Sequence, residues 1–193
     1  MEGLRAHRSG TQPRVRHNFT MAVQLTTSYL ADALAILRTY KKQGEAAMAQ
    51  VKDECLTAVL DPESNSIATI VKHLAGNMRS RWTDFLTTDG EKPDRERDAE
   101  FESPPAARAE VLAAWESGWK CVFDALEALT DADLGRTVYI RGEAHSVMQA
   151  INRQMGHYAA HIGQIVLLAK HYQSSDWKSL SIPRGKSKEF VAR

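Results

Sequence analysis

Apolar residues recur at alternating steps of three and four in four long stretches of the chain. That spacing lines one face of an α-helix. The first stretch predicts a helix from about Val23 to about Ala49, with Leu30, Leu34, Leu37 and Tyr40 inward and Gly44 as a weak point. Asp61-Pro62 and Ser64-Asn65-Ser66 make a turn cluster, and Ser66 is placed to cap the second helix. That helix is predicted over about Ile67–Leu86, with Ile67, Val71, Leu74, Met78 and Phe85 buried. The third begins at Pro104-Pro105, since proline suits a first turn, and runs to about Leu129. Its stripe is Leu112, Trp115, Trp119, Val122, Leu126 and Leu129. The fourth spans about Ser146–Tyr172, with Met148, Ile151, Met155, Tyr158, Ile162, Ile165 and Ala169 inward.

The pattern lapses between these stretches. Thr87 to Pro104 is charged, holds Gly90 and Pro93, and has little to bury. Fully extended it reaches up to ~60 Å, about twice the ~30 Å length of a 20-residue helix. It can therefore cross the length of a bundle and start the third helix parallel to the second. A loop of this length is unusual in a compact domain and points to function or to a long crossover; Asp89 to Glu102 reads as solvated crossover, with an active loop as the rival reading. Thr137 to His145, with β-branched and aromatic residues around Arg141-Gly142, reads as a short hairpin or extended loop. The tail from Ser174 is basic and carries Pro183 and Gly185. Four amphipathic helices and one long crossover predict an all-α four-helix bundle.

Residues 1–20 stand apart. They carry Arg5, Arg8, Arg14 and Arg16 against Glu2 alone, and they lack the apolar core of a secretory signal. They read as an upstream start or a disordered extension, with a basic arm for a partner as the weaker rival, and the domain, residues 21–193, begins near Met21.

Composition narrows the class. The 193 residues are 43% hydrophobic and 25% charged with a net charge of +1, which fits one globular domain and excludes wholesale disorder. So balanced a charge argues against nucleic acid as a partner, and no apolar run approaches the ~18 residues that span a membrane. Cys55 and Cys121 have no ligand spacing and read as free thiols of a cytoplasmic protein.

Chemistry concentrates in the histidines. His157 and His161 are four apart, so one helix face presents both, about 6 Å apart along the axis. Two imidazoles at that spacing can meet one metal ion. Tyr158 stands where a metalloprotease carries its glutamate base, which sets that chemistry aside. His145 and His171 lie ~18 Å and ~15 Å off along a continuous helix, too far to share the ion. His73, in the middle of the second helix, is the best third ligand. Ordinary surface or partly buried polarity is the competing reading of all three. Three neutral imidazoles suit zinc, nickel, copper or iron(II), and leave open positions for water or substrate.

Asn77, Gln154 and Gln164, each about one turn from one of these histidines, read as orienting groups or as plain helix-surface polarity. Gly156 and Gly163 read as points of close helix approach. The four tryptophans, Trp82, Trp115, Trp119 and Trp177, read as core or interface. Arg184 and Lys186 in the tail read as solvated charge, with contact to an anionic substrate as the rival reading.

His73-Leu74-Ala75-Gly76-Asn77-Met78-Arg79-Ser80-Arg81-Trp82, continuing to Lys92, together with His157-Tyr158-Ala159-Ala160-His161-Ile162-Gly163-Gln164 and Leu180-Ser181-Ile182-Pro183-Arg184-Gly185, resembles the DinB/YfiT-like superfamily, and within it a bacterial branch of unknown function. The resemblance covers about Leu25 to Phe190. It implies an up-down-down-up bundle and a divalent metal, zinc or nickel, held by His73, His157 and His161. It also implies a homodimer. Relatives include thiol S-transferases and a thiol-dependent isomerase, so the first function to expect is metal activation of a low-molecular-weight thiol, or of water in a hydrolase. A non-catalytic metal-binding or stress-response protein, and a metal-free helical interaction module, are the rivals.

Overall fold

The computed structural model describes residues 28–189, and the head at residues 1–20 lies outside them. Most of the described chain is helical. The elements run α1 (Tyr29–Met48), α2 (Asp53–Thr57), α3 (Ile67–Trp82), α4 (Arg108–Glu127), β1 (Thr137–Ile140), β2 (Glu143–Ser146) and α5 (Val147–Gln173). The four long helices pack pairwise, α3 against α4 and α5, and α1 against α5 and α4. No helix among the described residues is long and apolar enough to cross a membrane.

The helix starts obey capping chemistry. The Ser66 hydroxyl accepts from the Thr69 amide, as the turn cluster predicts, and Ser28 does the same for α1 with Ala31. Ser146 and Gln149 close a capping box on α5. Two predicted ends move. α3 stops at Trp82, because Thr83 is extended and Asp84 turns left-handed at φ 47°. α4 starts at Arg108, past the prolines, whose guanidinium donates to the Met48 and Val51 carbonyls at 2.9 and 2.6 Å and so ties α4 to the end of α1. The five-residue α2, which buries Leu56, is too short for any periodic pattern to disclose.

The core holds Leu37, Met48, Ile67, Leu74, Met78, Trp115, Trp119, Leu126, Ile151 and Ile165 with almost no exposure. On α4 the inward position is Val111 and not Leu112, which is exposed. Trp82, Trp115 and Trp119 are buried, and Trp177 packs part-buried against the core, so no tryptophan forms an open docking surface. The glycines that bring helices close are not the predicted ones. A Cβ on Gly118 would lie 2.9 Å from the Ala75 Cα, and one on Gly44 would strike the Trp115 indole. Gly156 and Gly163 face open space.

β1 and β2 form the predicted hairpin, pairing Thr137 with Ser146 through Ile140 with Glu143. Its turn residues, Arg141 and Gly142, both have positive φ, 57° and 76°. That is the geometry a two-residue hairpin turn favours, and it is uncommon for an arginine. The Asp89 carboxylate accepts from both turn amides, at 2.8 and 2.7 Å, and so holds the hairpin against the crossover. Cys55 and Cys121 are free and half-buried.

Candidate metal centre

His73 faces α5 from the middle of α3, where it is buried. His157 and His161 answer from successive turns of α5 and are half-buried. The three ring centroids lie 4.6–5.3 Å apart. One ligand atom from each ring falls within 4.8 Å of the others. His145 sits on β2 with Nδ1 3.0 Å from the Glu143 carbonyl, and His171 lies at the far end of α5. Neither joins the cluster. His7 and His17 lie outside the described residues.

Each ring is oriented by its surroundings. His73 Nδ1 is 2.9 Å from Glu100 Oε2; with the proton on Nδ1, it donates to the carboxylate and leaves Nε2 with a free lone pair. His161 Nδ1 is likewise 2.8 Å from Gln164 Oε1. His157 Nε2 is buried with no hydrogen-bond partner among the described residues. Burial pushes His157 down to about 3, and the neighbouring His161, His73, Arg81 and Arg95 push the same way. Burial also lowers His161, outweighing its bond to Gln164. At neutral pH both are uncharged, the state in which imidazole binds a metal. Carboxylate and amide support behind the rings is the usual companion of histidine ligation.

The other wall comes from the crossover, which sequence reading takes as solvated chain. Glu100 is buried, on a 3-10 turn at Asp98–Phe101. Arg95 grips its carboxylate twice, Nε to Oε1 and Nη2 to Oε2, both at 2.8 Å. Burial opposes the Glu100 charge, but the bonds from His73 and Arg95 prevail and hold it below the usual carboxylate range. Phe101 stacks on His73 with centroids 4.7 Å apart. Lys72 Nζ donates to the Ala99 and Glu102 carbonyls, both at 2.7 Å, fastening the turn to α3. Gly76 makes room for all this, since a Cβ there would collide with the Glu100 carboxylate.

The histidines open onto a cavity of about 440 Å³. Asn77 and Gln154 line it, so these two amides belong to the site and not to open helix surface; Gln164 belongs through His161. Arg81, Arg95, Arg97, Arg141 and Arg153 line it as well. Arg184 and Lys186 are exposed on the tail and do not. Tyr158, between the two α5 histidines, is fully buried and accepts from Trp82 Nε1 at 2.9 Å; burial pushes its hydroxyl up, so it supplies no base.

Comparison with protein families gives one decisive match. The DUF1572 family, described as a protein of unknown function, matches residues 24–186. The chain belongs to this family. Among solved structures, this DUF1572 chain is similar to a DinB-like protein from Bacillus cereus ATCC 10987, with a TM-score of 0.56 and 13% identity over 74% of this chain and 89% of that one. At that identity the likeness is one of fold. No curated protein sequence matches.

Proposed function

We propose that this DUF1572 protein is a metal-dependent enzyme. His73, His157 and His161, which line the cavity, would hold a divalent ion, zinc or nickel. The observation that carries the proposal is the convergence of three imidazole ligand atoms within 4.8 Å. A buried His157 Nε2 with no hydrogen-bond partner among the described residues supports it. The bound ion would supply Lewis-acid activation of a low-molecular-weight thiol or of water, because three protein ligands leave positions open.

The chain's own residues prepare that chemistry. Glu100 keeps the proton on His73 Nδ1 and so aims Nε2 at the cluster, while Gln164 does the same for His161. Phe101 covers one face of His73. We read the four long helices as an up-down-down-up bundle, with the crossover running its length and α3 and α4 parallel. The same proposal takes the protein as a cytoplasmic homodimer acting on a small molecule.

The test is metal content of the purified protein by elemental mass spectrometry, with His157→Ala as control. Near-stoichiometric zinc or nickel, lost in the variant, is expected. Chelator-sensitive consumption of a thiol with a haloarene electrophile should accompany it. No metal in either protein, even after reconstitution, overturns the proposal. Metal without turnover, across several thiols and ester substrates, reduces it to a metal-stabilised bundle.

A further inference from the structure

Five arginines around one cavity are unusual in a chain whose net charge is only +1. They come from four separate parts of the chain: the end of α3, the crossover, the hairpin turn and α5. The carboxylates beside them are too few. Glu91 alone serves Arg81 Nη2 at 3.0 Å, Arg95 Nη1 at 3.1 Å and Arg141 Nε at 2.9 Å. Glu100 serves Arg95 and His73. Among the described residues the Arg97 side chain meets only the Phe101 ring, at 6.0 Å from its centroid, and the Arg153 side chain has no hydrogen bond or ion pair. Positive charge is therefore left over on the cavity wall.

Residues that line the same cavity also carry unpartnered buried atoms. Arg81 Nε, Asn77 Oδ1 and Gln154 Oε1 are buried with no hydrogen-bond partner among the described residues, on residues at most 6% exposed. Folded proteins rarely leave such groups unsatisfied without a water or ligand to complete them. Arg153 lies one turn before His157 on α5, and Asn77 one turn after His73 on α3. These groups therefore share the histidine faces, displaced about 6 Å along each helix.

We infer that the cavity takes a small molecule bearing an oxyanion group, carboxylate or phosphate, with Arg97 and Arg153 as its anchor. The planar guanidinium fork matches both anions, and the two forks free of carboxylates line one cavity. The cavity volume suits a metabolite-sized ligand and not a polymer. Anchored there, the molecule extends about one helical turn to reach the histidines. Asn77 and Gln154 lie along that path and fix its orientation. This inference rests on reading the histidine cavity as the functional site, but it does not need the metal.

The experiment is calorimetric titration of metal-free, full-length protein at constant ionic strength. One arm uses inorganic phosphate, a second uses succinate, and sodium chloride is the blank. Arg97 and Arg153 are exposed, so Arg97→Gln and Arg153→Gln should fold. Arg79→Gln, which removes an exposed pair with Asp94 outside the cavity, is the control. Saturable binding of either anion, weakened at least tenfold in each cavity variant and unchanged in the control, is expected. The tighter of the two probes names the group. No heat beyond the chloride blank, or equal affinity in wild type and both cavity variants, overturns the inference. His157→Ala separates the two proposals. Anion binding retained in a protein that never takes up metal leaves this inference standing and removes the metal. Stoichiometric metal without anion binding does the reverse.

Discussion

The wall of the cavity built by α3 and α5 differs in kind from the wall built by the crossover and the hairpin. The first consists of regular helix, and its histidines lie where helical periodicity puts them. The second is irregular chain that stays in place because charged groups grip one another. Arg95 holds Glu100, Glu91 holds three arginines, Asp89 holds the hairpin turn, and Lys72 holds the 3-10 turn. A helix keeps its shape through its own hydrogen bonds, whereas such a loop keeps it only through side-chain partners. The histidine wall should therefore tolerate single changes well, and the charged wall poorly.

The largest effect should come from Glu100→Ala. It strips two bonds from the Arg95 guanidinium, whose side chain is 2% exposed, and leaves Glu91 as its only carboxylate. Breaking a buried ion pair typically costs ~3–5 kcal/mol. With Glu91 still in place, the lower end, about 3 kcal/mol, is expected. For a chain of this size that lowers Tm by roughly 6–12 °C. Metal affinity should fall ~10–100-fold as well, because His73 loses the group that aims it. Glu100→Gln keeps an acceptor for His73 and should do less harm. If thermal denaturation finds Glu100→Ala within the ~0.5 kcal/mol typical of surface changes, the crossover is solvated after all and the contrast fails.

That contrast also explains what the sequence disclosed. The four long helices, the Ser66 cap and the hairpin around Arg141-Gly142 arise from local rules of periodicity, capping and turn chemistry. His73, His157 and His161 came from the same rules, since an i,i+4 pair declares its own face and a mid-helix histidine its own level. Glu91, Arg95, Glu100 and Phe101 were not legible. They sit in a charged, aperiodic stretch, and what buries them is a partner far along the chain. One trace was present. Gly76 interrupts α3 one turn after His73, where glycine costs stability, and the structure shows the Glu100 carboxylate filling the space a side chain would take. Arg184 and Lys186, for which solvated charge is the favoured reading, stay exposed on the tail, while the arginines that line the cavity come from other parts of the chain: sequence proximity says little about which charges a fold gathers.

Metal addition comes next in size. Zinc at about a hundred times its Kd stabilises a protein that binds it only when folded by ~2.7 kcal/mol. Tm should then rise by roughly 5–10 °C. The rise should vanish in His157→Ala, while that variant without metal melts close to the metal-free wild type, because its helix keeps its own backbone bonds. A large loss of metal-free stability in His157→Ala would show that the helical wall, too, depends on its side chains.

A pH-graded effect should be smaller still, because water screens the half-buried His157 ring. Its folded value, about 3, lies below the ordinary 6.5. The folded chain therefore binds fewer protons than the unfolded chain between those limits. Metal-free protein should hold this contribution above pH 6.5 and lose it progressively as pH falls toward 3. Urea titrations across that range should show the slope in wild type and a shallower one in His157→Ala. Equal slopes would mean that the ring is not held neutral.

The smallest effect tests the helical wall alone. Gly156 precedes His157 on α5 and faces open space. Alanine there restricts the unfolded chain and favours helix, so Gly156→Ala should stabilise by ~0.4–1 kcal/mol. Because α5 positions His157 and His161 through its own geometry, stiffening it should leave zinc affinity unchanged within about twofold. Gly76→Ala makes the same substitution facing the charged wall, where the new methyl meets Glu100, and should destabilise and weaken zinc binding together. Opposite signs for two glycine-to-alanine changes on the same pair of ligand helices would show that the helices set the ligands and the crossover sets the fit. If both changes stabilise, Glu100 is free to move aside, and its hold on His73 is looser than the 2.9 Å bond implies.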